Sequence, residues 1–182
     1  MNLIKTIKDL SEELYPEILE IRRHLHMYPE LSFQEQETSE FISGTLEKKG
    51  IPCKKGIAGT GILAEVQGSS AGKIIALRAE LDALPIQEKN QVEYKSQIQG
   101  RMHACGHDVH AASLIGTALI LKKIGNHFSG KVKLVFQPGE EKAPGGARLM
   151  IKDNLFGDEE PELMIAQHVY PPMHAGNLGF KD

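Results

Sequence analysis

Residues 73–79 have the sequence Lys-Ile-Ile-Ala-Leu-Arg-Ala, and this stretch indicates what kind of sheet the chain builds. The apolar residues 74–77 are continuous rather than alternating with polar ones, which is typical of a strand covered on both faces. A glycine- and serine-rich turn at 68–72 separates this stretch from a second short apolar one, residues 61–67. Both stretches are therefore predicted to be strands of a buried sheet.

Apolar residues recur at helical spacing both before and after these strands in the sequence. The clearest predicted helix covers residues 108–124, with lysines in its last turn and Gly125 just beyond its end. The other predicted helices are residues 3–27, residues 32 or 34 to 49, and residues 147–154. Because Pro16 fits poorly inside a helix, the first of these is expected to break or restart near residues 11–16.

The remaining apolar stretches complete the predicted sheet. Residues 131–136 and 163–169 are predicted strands, and residues 176–180 are a further candidate. Strands that alternate with helices predict an α/β fold, a layered sheet with helices on both faces. A length of 182 residues corresponds to about one domain.

The composition excludes several classes of protein. The chain is 41% hydrophobic and 25% charged, which is ordinary for a globular protein and excludes disordered, collagen-like and coiled-coil chains. A net charge of -3 without a basic stripe argues against a nucleic-acid partner. The longest apolar stretch, residues 114–121, is too short to span a membrane. With only two cysteines and no apolar leader, we expect a cytoplasmic protein.

Three histidines and a cysteine lie in one eight-residue window just before and inside the helix at 108–124. They are His103, Cys105, His107 and His110. Residues two apart in extended backbone point the same way, so Cys105 and His107 can present sulfur and nitrogen to one metal ion. The alternative is a helix N-terminus that is rich in histidine without binding anything.

A pair of adjacent carboxylates, Glu140 and Glu141, follows the predicted strand at 131–136. Adjacent side chains diverge, so one carboxylate can bind a metal while the other faces a water molecule. A carboxylate beside a metal-bound water can accept its proton. The alternative interpretation is a solvated acidic turn.

Two further polar residues follow predicted strands. His168 comes after the apolar residues 163–166, and Asp82 comes directly after the stretch at 73–79. Each alone is more often structural than functional. Ligands in open α/β sheets bind at strand ends, however, and three strand ends here offer Cys/His, Glu/Glu and His. Asp82 can orient a ligating histidine or be an ordinary turn aspartate.

These residues belong to a series of stretches that together resemble a known family. The stretches are 21–26, 29–33, 78–85, 102–108 with His110, 136–138 with 140–141, and 145–147. In this order the chain resembles the metal-dependent amidohydrolases of the aminoacylase and hippurate hydrolase type, a branch of the zinc-exopeptidase-like metallopeptidases. The branch includes N-acyl-amino-acid amidohydrolases and hydrolases of auxin conjugates.

The resemblance implies a hydrolase of N-acyl amino acids that holds two divalent metals, zinc or manganese, with cobalt or nickel as other candidates. Four metal ligands are implied: Cys105, His107, Glu141 and His168. Glu140 would be the general base that activates the water. Asp82 would assist catalysis by contacting a metal ligand without binding the metal itself. The full-length form would be a candidate homodimer.

The sequence departs from the family pattern in detail and in length. Glu80 stands where Asp is usual, and Gly139 stands where Ala is common. Family members are longer, with a lid or dimerisation domain that follows about where this chain stops. The resemblance therefore implies that residues 1–182 are the N-terminal portion of an incomplete catalytic domain, with impaired activity.

Two other functions remain open at the level of sequence. One is a non-catalytic module that kept the metal ligands, and it differs from the hydrolase only in turnover. The other is a cysteine hydrolase with Cys105 as nucleophile, which leaves Glu140 and Glu141 without a role. No functional role is predicted for His24 or His26, and a packing role at the helix end is expected for both.

Overall fold

The computed structural model describes residues 2–180, which form five strands and four α-helices. The strands are β1 (Cys53–Ile57), β2 (Gly61–Gln67), β3 (Ile74–Glu80), β4 (Lys131–Gln137) and β5 (Leu163–Ala166). The helices are α1 (Leu3–Met27), α2 (Gln36–Lys48), α3 (His107–Lys123) and α4 (Gly146–Lys152), and a 3-10 turn covers Gly125–His127. Most elements lie within one or two residues of their predicted bounds.

The five strands form one sheet in the order β1-β2-β4-β3-β5. β1, β2 and β4 are antiparallel neighbours, whereas β3 runs parallel to β4 on one side and to β5 on the other. Leu77 in β3 is thus level with Leu134 in β4 and Ile165 in β5. Because β3, β4 and β5 are parallel, their carboxyl ends lie at one edge of the sheet.

Helices cover both faces of this sheet, as predicted for an α/β layered fold. On one face α1, α2 and α3 enclose the larger core, in which Ile42, Ile115 and Phe136 are completely buried. On the other face, Met150 of α4 packs against Leu63 and Val135. Among residues 2–180, no helix is both long and apolar enough to cross a membrane.

One wrong prediction concerns the first helix. The predicted break near residues 11–16 does not occur, and α1 is continuous through Pro16. Proline removes one hydrogen bond to the carbonyl of Glu12, but both residues are exposed, so water can solvate that oxygen. Packing also holds the helix in place, since Ile18 lies close enough to Gly116 of α3 to leave little room for a side chain there.

The chain after β5 also differs from the prediction. β5 ends at Ala166 rather than at residue 169, and residues 176–180 form no strand. Leu178 and Phe180 are 85% and 93% exposed. Within the described residues, no neighbouring strand pairs with this segment, and a strand needs a partner for its backbone groups.

Candidate metal centre

The predicted site residues meet at the edge of the sheet where β3, β4 and β5 end and α3 begins. Asp82 lies two residues beyond β3, Glu140 and Glu141 lie just beyond β4, and His168 lies two residues beyond β5. His107 is the first residue of α3. Gly106 precedes it with φ of +87°, a left-handed conformation that turns the chain sharply into the helix.

His107 is the central residue of the site, and its ring is almost completely buried. Its Nδ1 lies 2.8 Å from the backbone carbonyl oxygen of Asp82, which can only accept a hydrogen bond. The Nδ1 must therefore carry a proton, so in the neutral ring the lone pair lies on Nε2. That Nε2 atom is buried without a hydrogen-bond partner among the described residues. A buried nitrogen lone pair aimed at other donor atoms is the arrangement that a metal ligand requires.

The two adjacent glutamates face this unpartnered nitrogen. His107 Nε2 lies 3.9 Å from Glu141 Oε1 and 4.0 Å from Glu140 Oε2. These distances are too long for hydrogen bonds. They are close to the separation of roughly 3.4 Å between two ligand atoms on a tetrahedral zinc ion. The Glu141 side chain is 23% exposed and that of Glu140 is 41% exposed, so Glu140 is the more open to solvent.

Cys105 and His168 also lie close to His107. The Sγ atom of Cys105 lies 3.4 Å from Nε2 of His168, and one donor atom from each of the three residues lies within 4.8 Å of the others. His168 Nδ1 donates to the carbonyl oxygen of Val169 at 2.7 Å, which leaves its Nε2 lone pair facing the sulfur. Sulfur, nitrogen and carboxylate oxygen donors together match the ligands of zinc.

A third group of possible donors, Glu80, His107 and His110, also lies within 4.8 Å. Both nitrogens of His110 are already used. Nδ1 lies 2.8 Å from Glu80 Oε2, and Nε2 accepts the backbone amide of Val169 at 2.9 Å. Glu80 and His110 are thus satisfied by hydrogen bonds, and His107 is the member of this group with a nitrogen free to bind a metal.

Charges within the site shift the pKa values of its members. Burial by itself would raise the pKa of Asp82, but hydrogen bonds from His107, Ser32 and two backbone amides lower it to about 2. Burial would lower the pKa of His107, whereas Asp82 and the charge of Glu80 raise it. Asp82 is therefore a permanent carboxylate that holds His107 in place.

The pKa of the Cys105 thiol is raised to about 11, by burial first and then by Glu141 and the other carboxylates. A nucleophilic cysteine has a lowered pKa, so this environment argues against Cys105 as the nucleophile of a cysteine hydrolase. A bound cation would instead compensate the carboxylates and stabilise the thiolate.

The six residues predicted from the sequence thus lie together at one edge of the sheet. The structure places Asp82, Cys105, His107, Glu140, Glu141 and His168 there. Their individual roles as ligands or base stay predictions. A cleft of about 270 Å³ opens beside Glu141 between Leu31 and Leu84. A larger cavity of about 620 Å³, between α1 and α2, contains none of the six residues.

Sequence reasoning missed several residues that support this edge. Glu35 is completely buried, and its carboxylate accepts hydrogen bonds from the amide of Gly139 at 2.8 Å and from Thr60 Oγ1 at 2.7 Å. It therefore holds the backbone just before the glutamate pair. Nothing in its local spacing distinguishes it from the exposed Glu37.

The prediction of a packing role is right for His24 and wrong for His26. The ring of His24 stacks on Phe41, with centroids 3.9 Å apart. His26 is buried between two carboxylates, with Nδ1 2.7 Å from Asp108 and Nε2 3.2 Å from Glu88. Asp108 directly follows His107, so His26 ties the end of α1 to the first turn of α3.

Comparison with known proteins places this site in a family. Residues 76–181, more than half of the chain, match the model of Peptidase family M20/M25/M40. The chain belongs to this peptidase family. The matched residues include all six that meet at the sheet edge. The family match agrees with the metallopeptidase resemblance of the motifs and with a hydrolase class for the protein.

Relatives in sequence carry hydrolase names. The chain is 42% identical over 185 residues to an N-acetyl-L-cysteine deacetylase of Bacillus subtilis, covering 99% of this chain and 44% of the relative. It is 39% identical over 173 residues to an N-acyl-L-amino acid amidohydrolase of Geobacillus stearothermophilus, covering 95% of this chain and 46% of the relative. The chain thus spans less than half the length of these relatives.

A solved structure supports the fold and the kind of site. The Bacillus subtilis YxeP protein, described as a dinuclear metal binding peptidase from the M20 family, superposes with a TM-score of 0.88 at 39% identity. The match covers 94% of this chain and 48% of YxeP. The layered α/β fold is therefore shared with a family member that is described as binding two metals.

Proposed function

We propose that the protein is a metal-dependent amidohydrolase that cleaves the amide bond of N-acyl amino acids. The observation that carries the proposal is the buried, unpartnered Nε2 of His107, which faces two carboxylates and shares a donor group with Cys105 and His168. The names of the N-acyl amino acid hydrolases among its relatives support the substrate class.

Four residues would hold the metal: Cys105, His107, Glu141 and His168. A bound divalent cation supplies an activated water and polarises the carbonyl oxygen of the amide. Thiolate and imidazole ligands favour zinc, whereas the two carboxylates also suit manganese, with cobalt or nickel as further candidates. We propose two metals per complete site, since YxeP is described as dinuclear.

Glu140 is the proposed general base. Its side chain is the more exposed of the glutamate pair, and one of its oxygens lies at the mouth of the site, 4.0 Å from His107. A carboxylate there can accept a proton from the attacking water at Oε2 and return it to the nitrogen of the leaving amino acid.

Asp82 is proposed to act by positioning. Its carbonyl oxygen orients His107, and its Oδ2 accepts both Ser32 Oγ at 2.6 Å and the amide of Glu141 at 2.9 Å. The cleft between Leu31 and Leu84 opens directly beside Glu141 and is proposed to receive an apolar group of the substrate.

A pair of matched variants tests the proposal. Glu140→Gln keeps the size of the side chain and removes the proton acceptor, so turnover of N-acetyl and N-benzoyl amino acids should fall by about 100-fold or more, while metal content stays near that of the wild type. Glu141→Gln should instead lose metal. Elemental analysis and the two assays separate these effects.

The possible outcomes separate the alternatives. If Glu140→Gln loses most of its metal, the roles of the two glutamates are the reverse of those proposed. A wild-type chain that holds metal without any turnover would fit the non-catalytic metal-binding module as well as a hydrolase with the impaired activity expected of an incomplete catalytic domain. A wild-type chain that binds no divalent metal would contradict the proposal altogether.

A further inference from the structure

His168 lies in a segment with few attachments to the rest of the molecule. β5 is exposed along its whole length, and residues 167–180 that follow it are exposed as well. Within the described part of the chain, two hydrogen bonds link residues 167–180 to the rest: Cys105 Sγ with His168 Nε2, and the Val169 amide with His110 Nε2. The first involves proposed metal ligands, so the second is the independent anchor.

The hydrogen bond from Val169 determines which nitrogen of His110 carries the proton. A backbone amide can only donate, so Nε2 of His110 must be the acceptor and must be unprotonated. The proton therefore lies on Nδ1, which donates to Glu80 Oε2 at 2.8 Å. Both side chains are nearly inaccessible to water, with exposures of 1% and 2%.

Glu80 is itself held by the sheet beneath it. Its other carboxylate oxygen pairs with Arg78, whose Nε donates to Gln137 Oε1 at 2.8 Å. A continuous series of hydrogen bonds therefore runs from the end of β4 through β3 and α3 to the backbone of Val169. A hydrogen-bonded carboxylate behind a histidine is the usual way in which proteins fix the tautomer and orientation of an imidazole.

An apolar contact supports the same attachment. A Cβ atom at Gly106 would lie 2.3 Å from Cγ2 of Val169, so Val169 packs directly on the glycine backbone. The rings of His110 and His168 also meet edge to face, with centroids 4.5 Å apart. The first turn of α3 thus places Cys105, His107 and the segment that carries His168 relative to one another.

We propose that His110 is a positioning residue for His168. Its Nε2 accepts the hydrogen bond from the Val169 amide, and Glu80 fixes the tautomer of the His110 ring that leaves this nitrogen unprotonated. This inference rests on the proposed function, because His168 is one of the proposed metal ligands. His110 does not ligate the metal. It holds His168, which lies in the sparsely attached segment 167–180, beside Cys105 and His107.

Two substitutions of His110 separate its two hydrogen bonds. The side-chain oxygen of Gln lies near the position of Nε2, so His110→Gln retains an acceptor for Val169 and gives up the donor to Glu80. The amide nitrogen of Asn lies near Nδ1, so His110→Asn retains the donor to Glu80 and loses the acceptor. Circular dichroism verifies that both variants fold. His168→Ala shows how far the Co²⁺ affinity falls when the ligand itself is removed.

Cobalt(II) is the metal probe, because its complex with a thiolate absorbs in the near ultraviolet and reports on Cys105. Titration of the metal-free chain with Co²⁺ should give a dissociation constant about 10- to 100-fold weaker for His110→Asn than for the wild type. His110→Gln should bind Co²⁺ close to the wild-type affinity. Equal affinities for Asn and Gln variants, whether both normal or both weak, would overturn the inference.

Hydrogen exchange of the Val169 amide, measured by NMR on the metal-free chain, tests the same claim without any metal. Exchange should be about tenfold faster or more in His110→Asn than in the wild type, and nearly unchanged in His110→Gln. Equal exchange in both variants would overturn the proposed anchor. If the wild type binds no Co²⁺, the proposed metal site is wrong, and the inference that depends on it is overturned as well.

Discussion

The carboxylate of Asp82 accepts a hydrogen bond from the backbone amide of Glu141 at 2.9 Å, which links the residues after β3 and β4. The carbonyl oxygen of the same aspartate orients His107. One residue therefore sets the positions of two proposed metal ligands that come from different elements. Ser32 donates to the same carboxylate oxygen and connects the segment before α2 to this point.

Replacement of Asp82 should destabilise the fold more than replacement of its partner Ser32. Asp82→Ala leaves the Ser32 hydroxyl and the Glu141 amide without an acceptor, and we expect the free energy of unfolding to fall by about 3 kcal/mol. Ser32→Ala removes one donor and leaves the aspartate with its other partners, so a loss of about 1 kcal/mol is expected. Urea denaturation measures both, and equal losses would show that Asp82 does not join the two segments.

Binding of Co²⁺ should become tighter as the pH rises. The pKa of the Cys105 thiol is raised to about 11 in the metal-free chain, so a metal must displace its proton. The apparent affinity should therefore rise by up to about tenfold per pH unit between pH 6 and pH 8. The absorption of the cobalt thiolate should disappear in Cys105→Ser.

Cys53 provides the control for the cobalt experiment. Its pKa is also raised to about 11, mainly by burial, but it lies at the start of β1, and no donor group that includes it was found among the described residues. Cys53→Ser should bind Co²⁺ with the wild-type spectrum. Persistence of the thiolate absorption in Cys105→Ser would exclude Cys105 as a ligand.

Glu35 should stabilise the fold through its two hydrogen bonds. Glu35→Ala leaves the amide of Gly139 and the hydroxyl of Thr60 unpaired in a buried place, and a loss of about 2 to 4 kcal/mol in the free energy of unfolding is expected. Glu35→Gln keeps an acceptor for Gly139 and should retain much of that free energy. Glu37→Ala, an exposed change two residues further along, should alter it by about 0.5 kcal/mol or less. A smaller loss in Glu35→Ala than in Glu37→Ala would refute the role.

The contribution of His26 to stability should depend on pH. The hydrogen bond to Asp108 raises the pKa of His26 above 6.5, against the opposing effect of burial. The charged form is therefore the stabilised one, so its contribution is complete below pH 6.5 and is lost as the pH rises through the raised value. We expect His26→Ala to lower the free energy of unfolding by about 3 kcal/mol at pH 6 and by less at pH 9.

The exposed His127 is the control for this measurement. His127→Ala should change the free energy of unfolding by about 0.5 kcal/mol or less at either pH. An equal loss at pH 6 and pH 9 in His26→Ala would mean that His26 is not protonated in the folded chain at pH 6.

Local patterns predicted most of the elements, though not β1, and the general place of the site. The apolar stretches at 61–67, 73–79 and 131–136 became β2, β3 and β4, because an unbroken apolar strand is stable only inside a covered sheet. The polar residues that follow parallel strands came together because those strands end at one edge. Pro16 shows where a local rule failed, since exposure of the affected carbonyl and packing of Ile18 on α3 outweighed the lost hydrogen bond.

The supporting hydrogen bonds were not predictable from local patterns. The partners His110 and Val169 are 59 residues apart in the chain, His26 and Asp108 are 82 apart, and Glu35 and Gly139 are 104 apart. No period or neighbouring residue marks such a pair, because a buried polar group takes whichever partner the packed elements bring within reach.

The amino-acid sequence alone determined the layered sheet, the residue types of the proposed metal site and the edge where they gather, since hydrophobic periodicity and strand direction act over short distances. Tertiary structure alone decided which nitrogen of His107 is free, that His110 is occupied by Glu80 and Val169, and how the segment of His168 is attached. Those outcomes depend on hydrogen-bond distances between residues that are far apart in the chain, and only the packed fold sets them.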